Sequence, residues 1–194
     1  MESFALIAQA DIGFEFLVYP RHLPYVAKVL ERVPNLRAVI DHLAKPEIRA
    51  HRLQPWQEFM REVALHPNVC CKLSGMVTEA DYQGWNLAHL RPYAGHVMLL
   101  FGAERVMFGS DWPVCLLAAS YEQVWSVTRA LVTECLGTEA EEAVFGRNAA
   151  GSGDDASASA ARSECGVGAS CGNKLNWRSS SQKSFAMFML RSTF

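Results

Sequence analysis

The stretch V-M-F-G-S-D-W-P-V, residues 106–114, carries an apolar run into Gly109, Ser110 and Asp111, and the Trp112-Pro113 pair then ends regular structure. Strand alternation puts Met107, Gly109 and Asp111 on one face. A strand that buries its body and presents a carboxylate at its carboxyl end fits a parallel α/β architecture, in which the loops after the strands hold ligands.

Three similar segments lie upstream. F-E-F-L-V-Y-P (14–20) is aromatic and β-branched and stops at Pro20; R-A-V-I-D-H (37–42) and V-C-C-K-L-S-G (69–75) follow. Helical spacing separates them. Tyr25, Val26, Val29, Leu30 and Val33 share one stripe after Pro24, Trp56, Phe59, Met60 and Val63 share another, and H-V-M-L-L-F (96–101) reads as helix up to Gly102. Ser120 with Gln123, and Thr138 with Glu141, fit the capping-box spacing of the last two helices, and Gly146 is placed to end the second. Four β/α units result, which predicts a parallel sheet with right-handed crossovers. An open doubly wound sheet is the alternative architecture. It would carry a glycine-rich phosphate loop after an early strand, and neither G-x-G-x-x-G nor a P-loop occurs.

At 194 residues, 50% hydrophobic and 20% charged, the chain is long enough to bury a sizeable core. A net charge of -2 gives no basic excess for nucleic acid. No apolar run approaches the roughly 18 residues of a membrane span, and the N-terminus lacks an export signal. The six cysteines show no C-x-x-C spacing, so they predict reduced thiols in a cytoplasmic protein rather than a zinc site or a disulfide framework. Residues 150–194 read as a separate low-complexity tail. Gly, Ala and Ser dominate it without periodicity, which predicts disorder to about residue 184. The closing S-F-A-M-F-M-L-R-S-T-F (184–194) is apolar again, either an incidental tail or a docking helix.

The strand ends gather the chemistry. Tyr19, His42, Ser74 and Asp111 stand at or near the four carboxyl ends, Lys72 shares the Ser74 face, and Trp112 follows Asp111. His42, Lys72, Ser74 and Asp111 converge on one mouth if the polar faces point inward. A histidine and a carboxylate so placed share general-base work, or ligate a divalent metal that activates water. Each residue also has a plainer role: Asp111 as a turn cap, His42 as a hydrogen-bonded structural histidine, Lys72 as a partner for Glu15, and Ser74 as a loop cap. Asp41, on the face opposite His42, reads as a helix-side partner for a cation.

The ordered motifs P-N-L-R-A-V-I-D-H-L-A-K-P (34–46), P-N-V-C-C-K-L-S-G (67–75), F-G-S-D-W-P-V (108–114) and F-G-R-N-A (145–149) together resemble the amidohydrolase-related family. Within it the chain is most similar to the branch of sugar-acid and pyrone-dicarboxylate lactonases. The resemblance covers about residues 10–149. It implies that residues 1–149 form the second half of a (β/α)₈ barrel and that the activity is hydrolysis of a small lactone. It also implies that Asp111 matches the eighth-strand aspartate that deprotonates or positions water. His42 then matches the sixth-strand histidine, a ligand for substrate or metal, and Tyr19 a fifth-strand substrate contact. If a metal is bound, Asp111 and His42 are its ligands. Zinc, manganese and no metal are equally compatible, because the first-strand His-x-His of the family is absent: the histidines are His22, His42, His51, His66, His89 and His96. With half of the β/α units of such a barrel, the chain reads as a truncated or alternatively spliced form. Its open sheet edges favour self-association, and an inactive fragment acting only through association is the alternative function.

Overall fold

The computed structural model describes residues 1–150 and 186–189. β1 (Phe14–Leu17), β2 (Ala38–Ile40), β3 (Val69–Leu73) and β4 (Val106–Phe108) are parallel and lie side by side in chain order. That order decides between the two architectures. A doubly wound sheet reverses its strand order at a switch point and has helices on both faces, whereas successive neighbours joined by crossovers of one hand form an arc of a barrel.

The helices are α1 (Glu2–Gln9), α2 (Leu23–Arg32), α3 (Trp56–Ala64), α4 (Met76–Glu79), α5 (Leu87–Phe101) and α6 (Tyr121–Leu136). A π-helical turn, Ala143–Arg147, leads into α7 (Asn148–Ala150). Phe14, Phe16, Ala38, Ile40, Val69, Cys71, Leu73 and Val106 face the helices and join Leu23, Leu30, Trp56, Met60, Leu90 and Leu131 in one core. Burial of each large apolar side chain there contributes about 1.5–3 kcal/mol. The other face carries a small cluster of Val39, Cys70 and Met107, with Glu15 and Lys72 paired beside it. It is the inner wall of the arc.

Local signals account for most elements. Ser120 caps α6 as expected: its hydroxyl accepts from the Gln123 amide at 3.3 Å, and the Gln123 side chain accepts from the Ser120 amide at 2.8 Å. In α2 the buried stripe is Leu23, Val26, Ala27 and Leu30, whereas Tyr25 is 67% exposed. The stripe is set from Leu23, which leaves Tyr25 outside it, with Lys28 Nζ 5.7 Å from its ring centre. Thr138 opens only a short 3₁₀ turn and caps nothing, because Glu141 is drawn to Arg129 and Thr133 of α6. Gly146 does not end the last helix. It lies inside the π-helical turn, and the chain stays helical because Asn148 Nδ2 donates to the carbonyls of Ala103 and Val106, each at 2.7 Å.

The closing segment supplies a strand rather than a helix: β5 (Ala186–Met189) runs parallel to β1, with Phe14 opposite Ala186 and Leu17 opposite Met189. The expectation of disorder over 151–184 lies outside the described residues. Among the described residues no helix is long and apolar enough to cross a membrane, and Cys70, Cys71, Cys115 and Cys135 are not in disulfides.

Candidate active site

His42 does not end a strand. β2 stops at Ile40, and His42, Leu43, Ala44 and Lys45 all have positive φ, from 49° to 57°. Four consecutive left-handed residues without a glycine cost on the order of 1–2 kcal/mol each. Packing holds the turn: Leu43 and Ala44 are fully buried, the Trp56 indole donates to the Leu43 carbonyl at 2.7 Å, and the Lys45 amide donates to the His42 carbonyl at 2.7 Å. The turn swings His42 to the end of the sheet. Asp111 also has positive φ, 59°, and its carbonyl accepts from the Cys115 amide at 2.8 Å. Strain of this kind collects at functional sites.

These turns bring His42, Ser74 and Asp111 together. His42 Nε2 lies 3.5 Å from Asp111 Oδ1, and His42 Nδ1 lies 2.7 Å from Ser74 Oγ. Thr78 donates to the Gly75 carbonyl at 3.0 Å and reaches Asp111 Oδ2 at 3.4 Å. No sequence signal marked Thr78, since it stands on the short helix α4 and bears on the site only through the fold. Gly109 leaves room for the neighbouring strand; a β-carbon there would meet Ser74 Cβ at 3.0 Å and Lys72 Cγ at 3.1 Å.

Lys72 Nζ is engaged below the mouth by Asp41 at 2.7 Å and Glu15 at 2.9 Å. The pairing with Glu15 was legible. Asp41, however, is an inner-wall residue and not a helix-side one: Val39 lies on the inner wall, and alternation carries Asp41 to the same face. Burial opposes the Lys72 charge, but hydrogen bonds to Asp41 and Glu15 outweigh it and hold its pKa above the usual value. Burial pulls the His42 pKa below 6.5, despite the opposing effect of Asp111 and Asp41, with Lys45 and Lys72 adding to the fall. His42 is therefore neutral at neutral pH. Burial raises the thiol pKa values of Cys71 and Cys115, so neither offers a ready thiolate.

Tyr19 and Trp112 are 47% and 65% exposed. The Tyr19 ring lies 5.0 Å from the Arg21 guanidinium and 5.9 Å from Lys45 Nζ, which is ion-paired with Glu79. His42 and Asp111 supply two donors, whereas a catalytic zinc typically takes three protein ligands. Among the described residues no group of three or more His, Cys, Asp or Glu could hold a metal ion. These residues do not fit a complete metal site by themselves.

A parallel arc with a strained aspartate after β4 facing a histidine after β2 matches the barrel that the motifs implied. The chain belongs to the amidohydrolase family, whose sequence model matches residues 1–151. It is similar to the L-fucono-1,5-lactonase of Burkholderia ambifaria, 45% identical over 143 residues, which cover 72% of this chain and 49% of the relative. The L-fucono-1,5-lactonase of Burkholderia multivorans is 38% identical over 149 residues, 72% of this chain and 50% of that protein. Among solved structures, an amidohydrolase from Burkholderia multivorans with bound zinc gives a TM-score of 0.73 at 37% identity, over 77% of this chain and 55% of that one. A protein described as a 2-pyrone-4,6-dicarboxylic acid hydrolase, from Pseudomonas putida, gives 0.62 at 26% identity, over 75% and 53%. The chain spans about half the length of the curated relatives it matches.

Proposed function

We propose that this chain carries the water-activating side of a lactone hydrolase acting on a small sugar-acid lactone. The observation that carries the reading is the 3.5 Å approach of His42 Nε2 to Asp111 Oδ1 at the carboxyl ends of the strands. The lactonases at 45% and 38% identity support the substrate class.

In this reading Asp111 takes a proton from water, and the water oxygen forms a bond to the lactone carbonyl carbon. The tetrahedral adduct collapses by breaking the ring C–O bond, and the proton passes from Asp111 to the departing ring oxygen, leaving an open-chain hydroxy acid. Neutral His42 orients the carboxylate, and Thr78 Oγ1 stands 3.4 Å from its other oxygen. In this reading the exposed Tyr19 and Trp112 shape the substrate approach, Ser74 acts on His42 from beneath, and Lys72 holds the inner wall.

Acid release from L-fucono-1,5-lactone by the purified chain, followed at constant pH, tests the proposal. The expected result is acid release above the spontaneous ring-opening rate and saturable in lactone. Release at the spontaneous rate alone overturns it.

A further inference from the structure

Ser74 is 1% exposed, and its hydroxyl sits 2.7 Å from His42 Nδ1 with no other hydrogen-bond partner among the described residues. The far nitrogen of the same ring faces a carboxylate oxygen of Asp111 at 3.5 Å. We propose that Ser74 is a positioning residue that locks His42 in the tautomer with its proton on Nε2, aimed at Asp111.

Two independent arguments select this tautomer. If the ring donated from Nδ1, the Ser74 hydroxyl hydrogen would be buried without an acceptor, which native structures avoid. The same tautomer would set a bare Nε2 lone pair against the Asp111 carboxylate, where like partial charges repel. With the proton on Nε2, Ser74 donates to Nδ1 and the Nε2–H side faces the Asp111 carboxylate 3.5 Å away, a favourable charge–dipole contact. Gly75 leaves room for the ring in this position, since a β-carbon there would stand 2.8, 3.0 and 3.1 Å from His42 Cβ, Cγ and Nδ1.

The catalytic consequence rests on the lactonase reading, whereas the tautomer does not. An imidazole with both nitrogens so engaged cannot take a proton from water. His42 then serves as a donor that orients Asp111, and the base role falls to the carboxylate alone.

The test is imidazole nitrogen NMR on the full chain labelled with ¹⁵N-histidine, at about pH 8, where the ring is neutral. His42→Gln assigns the signals. The expected result is a protonated Nε2 and a bare Nδ1 in the native protein, with Ser74→Ala shifting the ring to a mixture of tautomers. Ser74→Cys, which keeps a weaker donor of similar size, should retain more of the Nε2–H form and carries the test if Ser74→Ala does not fold. A protonated Nδ1 in the native protein, or an unchanged tautomer in the folded variant, overturns the proposal. In the hydrolysis assay, kcat of Ser74→Ala should fall about 10–100-fold with KM little changed, as for other residues that orient a working histidine. A tautomer shift in a chain that hydrolyses no lactone would sink the lactonase reading and leave the Ser74 role standing.

Discussion

A β-carbon on Gly75 would stand 2.8 Å from the β-carbon of His42, so the glycine gives the imidazole the space it occupies. Gly75 also has a φ of +67°, which L side chains rarely adopt. Gly75→Ala is expected to lower unfolding free energy by about 2 kcal/mol or more, from strain and crowding together. Denaturant unfolding of the variant beside the native chain checks it; a loss under about 1 kcal/mol would show that His42 yields without cost.

Lys72 balances two inner-wall carboxylates. Lys72→Met should leave Asp41 and Glu15 facing each other without a cation and reduce stability by roughly 2–3 kcal/mol, less than for a fully enclosed pair because the Lys72 side chain keeps 21% exposure. The pH dependence has a definite sign. The folded-state pKa of Lys72 is raised, so its stabilisation is fully present below about pH 10.4 and is lost as pH rises through the folded value. The stability gap between the native chain and Lys72→Met should therefore close in the alkaline range, as measured by urea unfolding across pH.

Asn148 ties the last helix to the Val106 carbonyl of β4 and to the Ala103 carbonyl just before it, and Asn148→Ala would strip both of this donor. A loss of about 2 kcal/mol is expected. Its neighbour offers the contrast: Arg147 and Glu104 form an ion pair at 3.3 Å whose side chains are 46% and 72% exposed, so Arg147→Ala should change stability by less than about 1 kcal/mol. Thermal unfolding of the two variants distinguishes these roles, and similar losses would contradict the assignment.

The sequence carried the four β/α units because apolar alternation and helical stripes are local signals, and the F-G-R-N-A motif has a visible purpose in the Asn148 bonds. It also carried Asp111 and His42 as facing groups, but not the route by which His42 arrives. Residues 42–45 contain no glycine or asparagine to advertise left-handed backbone, and the buried Leu43 and Ala44 with the Trp56 bond impose it from outside. Placing Asp41 on the helix side followed from treating β2 as running through His42; the strand ends two residues earlier. Thr78 was hidden for a similar reason, since its relation to Asp111 exists only once α4 is folded against the β4 end. Thr138 and Glu141 matched a capping pattern, yet Arg129 and Thr133 on α6 offered Glu141 stronger tertiary partners.

The most direct measurement of the central claim is the rate of lactone ring opening by Asp111→Asn, which keeps the shape of the side chain and removes its basicity. The account predicts a fall of about 10²–10⁴-fold in kcat, with the variant folded and unfolding within about 1 kcal/mol of the native chain. A folded Asp111→Asn that opens the lactone at the native rate would contradict it.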